Sequence, residues 1–293
     1  MKTKIISLIF GAILLAGCAG PSSFRSVPEN ANIPQVKVLI QKASQSTAIS
    51  ATTAFAVKNA DNQQDIAFVS ADQKIQLQRT QDKIEMFDAQ QKSLGTFQKI
   101  WIVAKSVDNR FSVGGNSYRG SLNVWVDGDQ ILVVNNLDME SYVMGVVKNE
   151  IGNLSSDQLD AAKAQAIAAR TYAVRHKNKN MKQDYYFASD VSDQVYQGAS
   201  SESDLTNQAV LETLGEIATY EGKPINAVYF STCGGITSNA EDVWRGTPPT
   251  PYLVRVSTHI GDTVLCAGSP HYRWEVKWTG DELSKLIKTN LPA

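Results

Sequence analysis

The chain has 293 residues, of which 19% are charged, and a formal net charge of −1 at pH 7. Because the charge is nearly balanced and no long basic run occurs, the composition argues against a nucleic-acid-binding protein. The length is sufficient for one large domain or two small ones with a real hydrophobic core.

The N-terminus predicts export and lipid attachment. Lys2 and Lys4 precede an apolar run over residues 5–15, which is too short for a permanent membrane-spanning helix and indicates a secretory signal. The sequence LAGC then ends at Cys18 and is typical of a lipobox, which predicts a signal peptide over residues 1–17 and a lipid on the Cys18 thiol. An ordinary signal peptide with an incidental cysteine is the alternative. We expect a lipid-anchored envelope protein on the periplasmic face of an outer membrane.

The next part of the chain predicts a tether and then a β unit. Residues 18–34 are polar and contain prolines, as in a flexible linker. Over residues 35–137, short β-branched or aromatic runs alternate with Asn, Asp, Gly and Ser, which predicts mostly antiparallel strands. Asp127-Gly128 favours a two-residue hairpin turn between the last two runs. The runs are VKVLI, IAFV, IQLQ, FQKIWIVAK, SLNVWV and ILVVNNL.

From residue 138 onward the pattern becomes helical. We expect a short helix over 139–147 and the strongest helix over 155–177, where Ser155 and Gln158 form a capping box. Alanines recur on one face of the second helix, so it can pack closely against a neighbour, and we expect it to be central. Its other, polar stripe contains Lys163, Arg170 and Lys177.

The remainder adds two helices and a hairpin. Residues 203–214 predict a helix that stops at Gly215, and a capping box that begins at Thr279 opens a last helix. EIATY and INAVYFS, joined by a Glu-Gly-Lys-Pro turn, predict a β-hairpin. The sequence therefore predicts an α+β fold in which a β-rich part, 35–137, packs with a helical and β-hairpin part, 138–293, that carries the active site.

The cysteines allow two interpretations. With Cys18 lipidated, Cys233 and Cys266 remain in an exported and therefore oxidising setting, where a disulfide is the default. His259 and His271 flank Cys266, so a zinc site made of these four residues is the alternative.

Two polar groups in the helical part could carry chemistry. Glu150 lies in VVKNEIGNL just before the alanine-rich helix. Taken alone, it is better explained as a surface acid near a helix N-terminus. Arg170 and Tyr172 lie among small residues that leave them room to reach a cleft. A solvated helix face is the alternative for this pair.

Two later segments, SDVSDQVYQG and YFSTCGGITSNAEDVW, contain Gln194, Tyr196 and Ser231. Loops rich in hydroxyls, amides and aromatic rings suit a sugar-binding groove, since sugars need hydrogen-bond partners and flat faces to stack on. The Gly-Gly pair in the second segment lets the backbone approach a ligand, or only turn.

Two common catalytic schemes are disfavoured. The chain has only three histidines and no GxSxG serine elbow, so a Ser-His-Asp triad is not indicated. No GxxxxGK phosphate-binding loop occurs. A single well-placed carboxylic acid remains as the candidate general acid.

Seven motifs in order carry a family resemblance. The motifs are, in order, YRGSLNV, LDMESYVMGVVKNEIGN, LDAAKAQAIAARTYAV, SDQVYQG, NAVYFSTCGGITSNAEDVW, PYLVRV and SPHYRWE. Together they resemble the stage II sporulation protein D family, also called the SpoIID/LytB-like domain. The resemblance runs over about residues 36–291.

The resemblance implies a lytic transglycosylase, which cuts the β-1,4 bond between N-acetylmuramic acid and N-acetylglucosamine in peptidoglycan glycan strands and leaves a 1,6-anhydromuramic end. It implies that Glu150 is the catalytic acid and that the reaction needs no cofactor. Arg170, Tyr172, Gln194, Tyr196 and Ser231 are then candidates for binding the glycan.

The same resemblance implies an alternative of another class, a non-catalytic glycan-binding enhancer of a cell-wall amidase. Family members usually continue into a glycine- and histidine-rich GHGVGMSQ-type segment, and no such motif occurs in this sequence. We therefore expect a fragment, a truncated form or a degenerate homologue. The absence of the motif favours the alternative of a non-catalytic enhancer.

Overall fold

The computed structural model describes residues 33–177 and 179–290. The predicted signal peptide, the lipidation site Cys18 and the tether up to residue 32 lie outside the described residues. Within the described ranges, no helix has the length and apolarity needed to cross a membrane. Strands and helices both contribute large shares, which confirms the predicted α+β class.

In the described part of the chain, twelve strands precede the first helix. They are β1 (Gln35–Ala43), β2 (Ser46–Ala51), β3 (Phe55–Asn59), β4 (Asp65–Val69), β5 (Lys74–Thr80), β6 (Lys83–Phe87), β7 (Ser93–Phe97), β8 (Lys99–Ala104), β9 (Phe111–Val113), β10 (Asn116–Tyr118), β11 (Ser121–Asp127) and β12 (Gln130–Asp138). Short strands follow: β13 (Phe187–Ala188), β14 (Thr219–Tyr220), β15 (Lys223–Pro224), β16 (His259–Ile260) and β17 (Thr263–Val264).

Five α-helices and three short 3-10 helices complete the described elements. The α-helices are α1 (Met139–Ile151), α2 (Leu159–His176), α3 (Asp204–Glu212), α4 (Ala240–Val243) and α5 (Gly280–Asn290). The 3-10 helices are Ser156–Gln158, Met181–Gln183 and Ala199–Ser201.

The strands form two large sheets. One has the order β13-β1-β12-β11-β8-β3-β4, and the other has the order β10-β9-β2-β5-β6-β7. All neighbours pair antiparallel except β1 and β13, which are parallel. Alternate residues of the strands point into one apolar core, which also receives α1 and the alanine face of α2.

The β unit agrees with the prediction in kind and differs in two details. FQKIWIVAK does not form one strand: it supplies the end of β7 in one sheet and β8 in the other, because the chain changes sheets at Gln98. The β11–β12 turn is centred one residue later than predicted, since Asp127 pairs with Gln130 and the positive φ of 60° lies at Gly128.

Helix α1 follows β12 directly and is longer than the predicted 139–147. Asp138 caps it by accepting a hydrogen bond from the Ser141 N–H at 2.9 Å. The helix runs to Ile151, so Glu150 lies in its last turn. Gly145 permits a close approach, because a Cβ there would stand 2.5 Å from Cε2 of Tyr196.

The alanine-rich helix is central, as predicted. The capping box of Ser155 and Gln158 is formed, and α2 packs between α1 and α3. Its buried face is made of Ala162, Ala166, Ala169, Arg170, Thr171 and Ala173.

The C-terminal part departs from the prediction in its hairpin. EIATY contributes only the two-residue strand β14, its partner β15 comes from the predicted turn, and residues 225–230 of INAVYFS have no regular secondary structure. The last helix is confirmed, because Thr279 and Glu282 exchange the hydrogen bonds of a capping box in front of α5.

Candidate functional site

Glu150 lies half-buried at the end of α1, where the helix meets the loop of residues 189–198. Its Oε1 accepts a hydrogen bond of 2.7 Å from the backbone N–H of Val195. A peptide N–H has a fixed direction, so this bond sets the orientation of the carboxylate as a flexible side chain could not. The loop therefore holds Glu150 in one position.

A chain of polar groups leads from the core towards Glu150. The Tyr142 hydroxyl donates to Oε1 of Gln194 at 3.1 Å, and Nε2 of Gln194 donates to the Tyr229 oxygen at 2.9 Å. The Tyr229 hydroxyl lies beside Glu150. Burial raises the pKa of Tyr229 well above its ordinary value, so its proton is kept at neutral pH.

Tyr172 lies on α2 beside this network and is half-buried. Its ring contacts the ring of His176 with centroids 4.4 Å apart. Burial, the charge of Asp193 and a hydrogen bond with it raise the pKa of Tyr172. The Asp193 carboxylate also accepts from Nζ of Lys179 at 2.6 Å and from the Ala188 N–H at 2.9 Å.

Arg170 is not in a groove, contrary to the sequence-based expectation. Its side chain is 2% exposed and forms a bidentate pair with Glu140, with Nη2 2.6 Å from Oε2 and Nε 2.9 Å from Oε1. It also donates to the carbonyl oxygens of Val210 and Glu216. A buried guanidinium requires such partners, so Arg170 ties α1 and α2 to the end of α3 and does not reach a ligand.

Gln194 and Tyr196 are likewise interior residues, with exposed fractions of 1% and 2%. The Tyr196 hydroxyl donates to Oδ1 of Asn135 at 2.7 Å, and its ring lies 5.2 Å from that of Tyr142. Both were expected to line the groove; instead both side chains are buried in the interior. The structure brings Gln194 into the network of Glu150 and places Tyr196 in the core.

Ser231 is exposed and follows Tyr229 by two residues. Two residues further, the sulfur of Cys233 lies 3.5 Å from the sulfur of Cys266, and both cysteines are free and half-buried. The two thiols are therefore neighbours without a bond between them.

The alternative zinc site is not formed. Across residues 33–177 and 179–290, no group of three or more His, Cys, Asp and Glu side chains lies close enough to hold a metal ion. Cys233 and Cys266 meet, but His259 instead hydrogen-bonds with Ser257 through Nδ1 at 3.1 Å. The backbone N–H of His271 donates to Ser269.

Two residues of the site were missed by the sequence interpretation. Tyr142 and Tyr229 fell within a predicted helix and a predicted hairpin, and neither was named as a candidate site residue. The signal that could have identified Tyr229 is a tyrosine inside the otherwise apolar run INAVYF, because a buried phenol requires a hydrogen-bond partner.

Comparisons with known proteins match this region. Residues 127–220 match the family model described as "Stage II sporulation protein", SpoIID. The chain is 38% identical over 173 residues to Stage II sporulation protein D of Bacillus subtilis, covering 54% of this chain and 48% of that protein. It is 41% identical over 145 residues to an uncharacterized protein of Brachyspira hyodysenteriae, covering 49% of this chain and 38% of that protein.

A third relative, the amidase enhancer of Bacillus subtilis, is 33% identical over 151 residues, covering 51% of this chain and 20% of that protein. The chain thus spans less than half the length of each of these three relatives. The family match covers α1 with Glu150, α2, α3 and the loop that binds Glu150. These matches confirm the resemblance drawn from the motifs: over residues 127–220, the chain matches the SpoIID family.

Proposed function

We propose that the protein acts on peptidoglycan glycan strands as a lytic transglycosylase, with Glu150 as its acid. The observation that carries the proposal is the position of the Glu150 carboxyl group. It is half-buried at a helix end, oriented by the Val195 N–H, and has the Tyr229 hydroxyl beside it. A proton donor for a glycosidic oxygen needs such a fixed direction, because proton transfer requires hydrogen-bond reach to one particular atom.

The chemistry requires one carboxyl group in two protonation states. As an acid, Glu150 protonates the oxygen that leaves C1 of N-acetylmuramic acid. As a carboxylate, it then accepts the proton of the C6 hydroxyl while that oxygen closes onto C1, giving the 1,6-anhydro product. Glycosidases that use water or a covalent adduct need two carboxylates, whereas attack from within the sugar needs only one.

Residues beside Glu150 supply the features of a sugar-binding groove. The half-exposed ring of Tyr172 offers a face on which a sugar can stack, and the exposed hydroxyl of Ser231 offers a hydrogen-bond partner. We assign glycan contact to these two residues. Gln194 then acts by holding Tyr229.

The second candidate is a glycan-binding enhancer of a cell-wall amidase. The similarity to the amidase enhancer of Bacillus subtilis favours it. In this case the network around Glu150 would fix the loop of residues 189–198 for binding, and no proton would be transferred. For either function we also propose a lipid anchor at Cys18 and a location on the periplasmic face of the outer membrane.

The test is mass spectrometry of glycan strands, stripped of stem peptides, after incubation with the protein and with Glu150→Gln. Glutamine keeps the acceptor for Val195 N–H but cannot donate the proton, so we expect 1,6-anhydromuramic products to fall by about 10²- to 10⁴-fold. Glu212→Gln is the matched control, because it removes an exposed carboxylate of α3. Full activity of Glu150→Gln would contradict the mechanism.

Sedimentation separates the two functions. If the unchanged protein leaves the strands intact, co-sediments with them and stimulates a purified amidase, the enhancer function is supported. Under that outcome, Glu150→Gln should stimulate the amidase as well as the unchanged protein does.

A further inference from the structure

Cys233 and Cys266 lie 33 positions apart in sequence, and their sulfur atoms are 3.5 Å apart. A disulfide bond is about 2.05 Å long, so the two sulfurs need to approach by only roughly 1.5 Å, which side-chain rotation can provide. Both side chains are half-buried and therefore accessible to a small oxidant.

The backbone already holds the two segments together. The Thr258 N–H donates to the Gly235 carbonyl at 2.9 Å, and the Thr237 N–H donates to the Val256 carbonyl at 2.9 Å. On the other side, the Leu265 N–H donates to the Thr258 carbonyl at 3.0 Å. Thr258 therefore bridges the segments of both cysteines, and the pairing of the sulfurs rests on a hydrogen-bonded frame.

The segment that precedes Cys233 needs an anchor. Residues 225–230 contain Tyr229, which accepts from Gln194 and lies beside Glu150, yet they form neither helix nor strand. Irregular segments of this kind open with small free-energy differences. Within this segment, Asn226 is held by His176 at 2.9 Å and by the Tyr252 hydroxyl at 3.3 Å. A second attachment at Cys233 would fix the segment at its other end.

We propose that Cys233 and Cys266 form a disulfide that locks the segment 226–232, and with it Tyr229, in the position that supports Glu150. The importance of the lock for activity rests on the proposed function; the existence of the bond and its effect on mobility do not. Reduction of this bond frees the segment, so the site responds to the thiol–disulfide state of its surroundings.

The bond forms by exchange with a disulfide oxidant, such as oxidised glutathione. The Cys233 sulfur loses its proton and attacks the oxidant, which releases one thiol and leaves a mixed disulfide. Cys266 then loses its proton and attacks the Cys233 sulfur, and a second thiol leaves. The protein loses two protons and two electrons, and the oxidant gains them. A hydrogen bond from Thr258 and one from the Gly235 backbone lower the pKa of the Cys233 thiol, which suits it to attack first.

The bond is tested by tryptic mapping of the full chain after incubation with oxidised glutathione. Cleavage after Arg245 and Arg255 places Cys233 and Cys266 in different peptides, and Cys18 lies in a third. We expect a peptide pair that joins Cys233 to Cys266 and separates on reduction. Two free thiols after this treatment, or a pair that involves Cys18, would overturn the proposal.

The lock is tested by hydrogen exchange of the oxidised and reduced protein. We expect the protected amides of residues 226–232 to exchange at least about tenfold faster after reduction, because a cross-link over a loop of this length removes much chain entropy. In the Cys233→Ser/Cys266→Ser variant, reductant should change nothing. A bond that forms without this difference in exchange would overturn the lock, and neither readout depends on glycan cleavage.

Discussion

Gln194 donates from Nε2 to the phenol oxygen of Tyr229 at 2.9 Å, and this bond positions the phenol beside Glu150. A phenol has one proton. Because its oxygen accepts from Gln194, that proton is free to be donated elsewhere. The amide itself is fixed by Tyr142, whose hydroxyl donates to Oε1 at 3.1 Å. The position of the Tyr229 phenol is thus set by two buried residues, Tyr142 and Gln194.

Tyr229→Phe should weaken both the site and the fold. It removes the hydroxyl beside Glu150, so we expect kcat for strand cleavage to fall about tenfold with KM unchanged, the rate equivalent of one hydrogen bond. It also removes a partner of the buried Gln194 amide, so the free energy of unfolding in urea should fall by about 1–3 kcal/mol. Tyr220→Phe, at an exposed tyrosine of β14, is the matched control. An unchanged kcat would show that Tyr229 does not position Glu150.

The buried pair of Arg170 and Glu140 should be essential for stability. Arg170→Met leaves the Glu140 carboxylate buried without its charge partner, so we expect the free energy of unfolding to fall by about 3–5 kcal/mol. Adding Glu140→Leu should recover a large part of this loss. Both effects are measured by urea unfolding followed by circular dichroism.

A matched control for that pair is Asp242→Asn, which breaks an exposed pair with Arg255 of 3.3 Å and should change stability by less than about 1 kcal/mol. The result to watch for is a stable Arg170→Met protein that no longer co-sediments with glycan. That outcome would show that Arg170 contributes to glycan binding and not to stability.

Arg170 illustrates which features of the fold can be predicted from the sequence and which cannot. It lies four residues after Ala166 and three before Ala173, so the helical period places it on the buried alanine face. Its charge instead suggested a polar stripe, because a lone arginine is rarely buried. The deciding fact is Glu140, 30 residues away in sequence, and no local pattern reveals such a pairing.

The other sequence-based predictions also divide by distance along the chain: features set by nearby residues were predicted, and features set by distant residues were missed. The capping boxes at Ser155 and Thr279 and the alanine face of α2 were predicted because they depend on neighbours within one or two turns. The role of Tyr229 was missed because it depends on Gln194, 35 residues earlier. Glu150 was identified through the family resemblance, and its fixation by the Val195 N–H became visible only in three dimensions.

Gly145→Ala should destabilise the protein although alanine favours helices. The added Cβ would lie 2.5 Å from Cε2 of Tyr196, whose ring is buried and cannot move aside easily. We expect a loss of about 1–3 kcal/mol in the free energy of unfolding, as for other overpacked cores. Gly280→Ala is the control, since nothing lies within 4 Å of a Cβ at the start of α5. Equal stabilities of the two variants would argue against close packing of α1 on Tyr196.

Asp184 should contribute to stability only above acidic pH. Burial raises its pKa, but hydrogen bonds from Lys37, at 2.5 Å, and from Lys99 outweigh burial and leave the pKa below its ordinary value. A carboxylate with a lowered pKa stabilises the fold above the unfolded pKa of about 3.9, and this stabilisation is lost as the pH falls through the folded pKa. Because Asp184 is partly exposed, Asp184→Asn should lower the free energy of unfolding by less than about 1 kcal/mol at neutral pH.

The pH dependence of that difference in unfolding free energy is the sharper test. The two ion pairs of Asp184 attach the chain to β1 and β8 just ahead of the loop that binds Glu150. Urea unfolding of the two proteins should give curves that differ at pH 7 and converge at acidic pH, once the pH is below the lowered folded pKa of Asp184 and it is protonated in both states. In a Lys99→Met background the difference at pH 7 should shrink, since one of the two partners that lower the pKa is gone. A difference that persists unchanged at low pH would mean that Asp184 acts through packing and not through its charge.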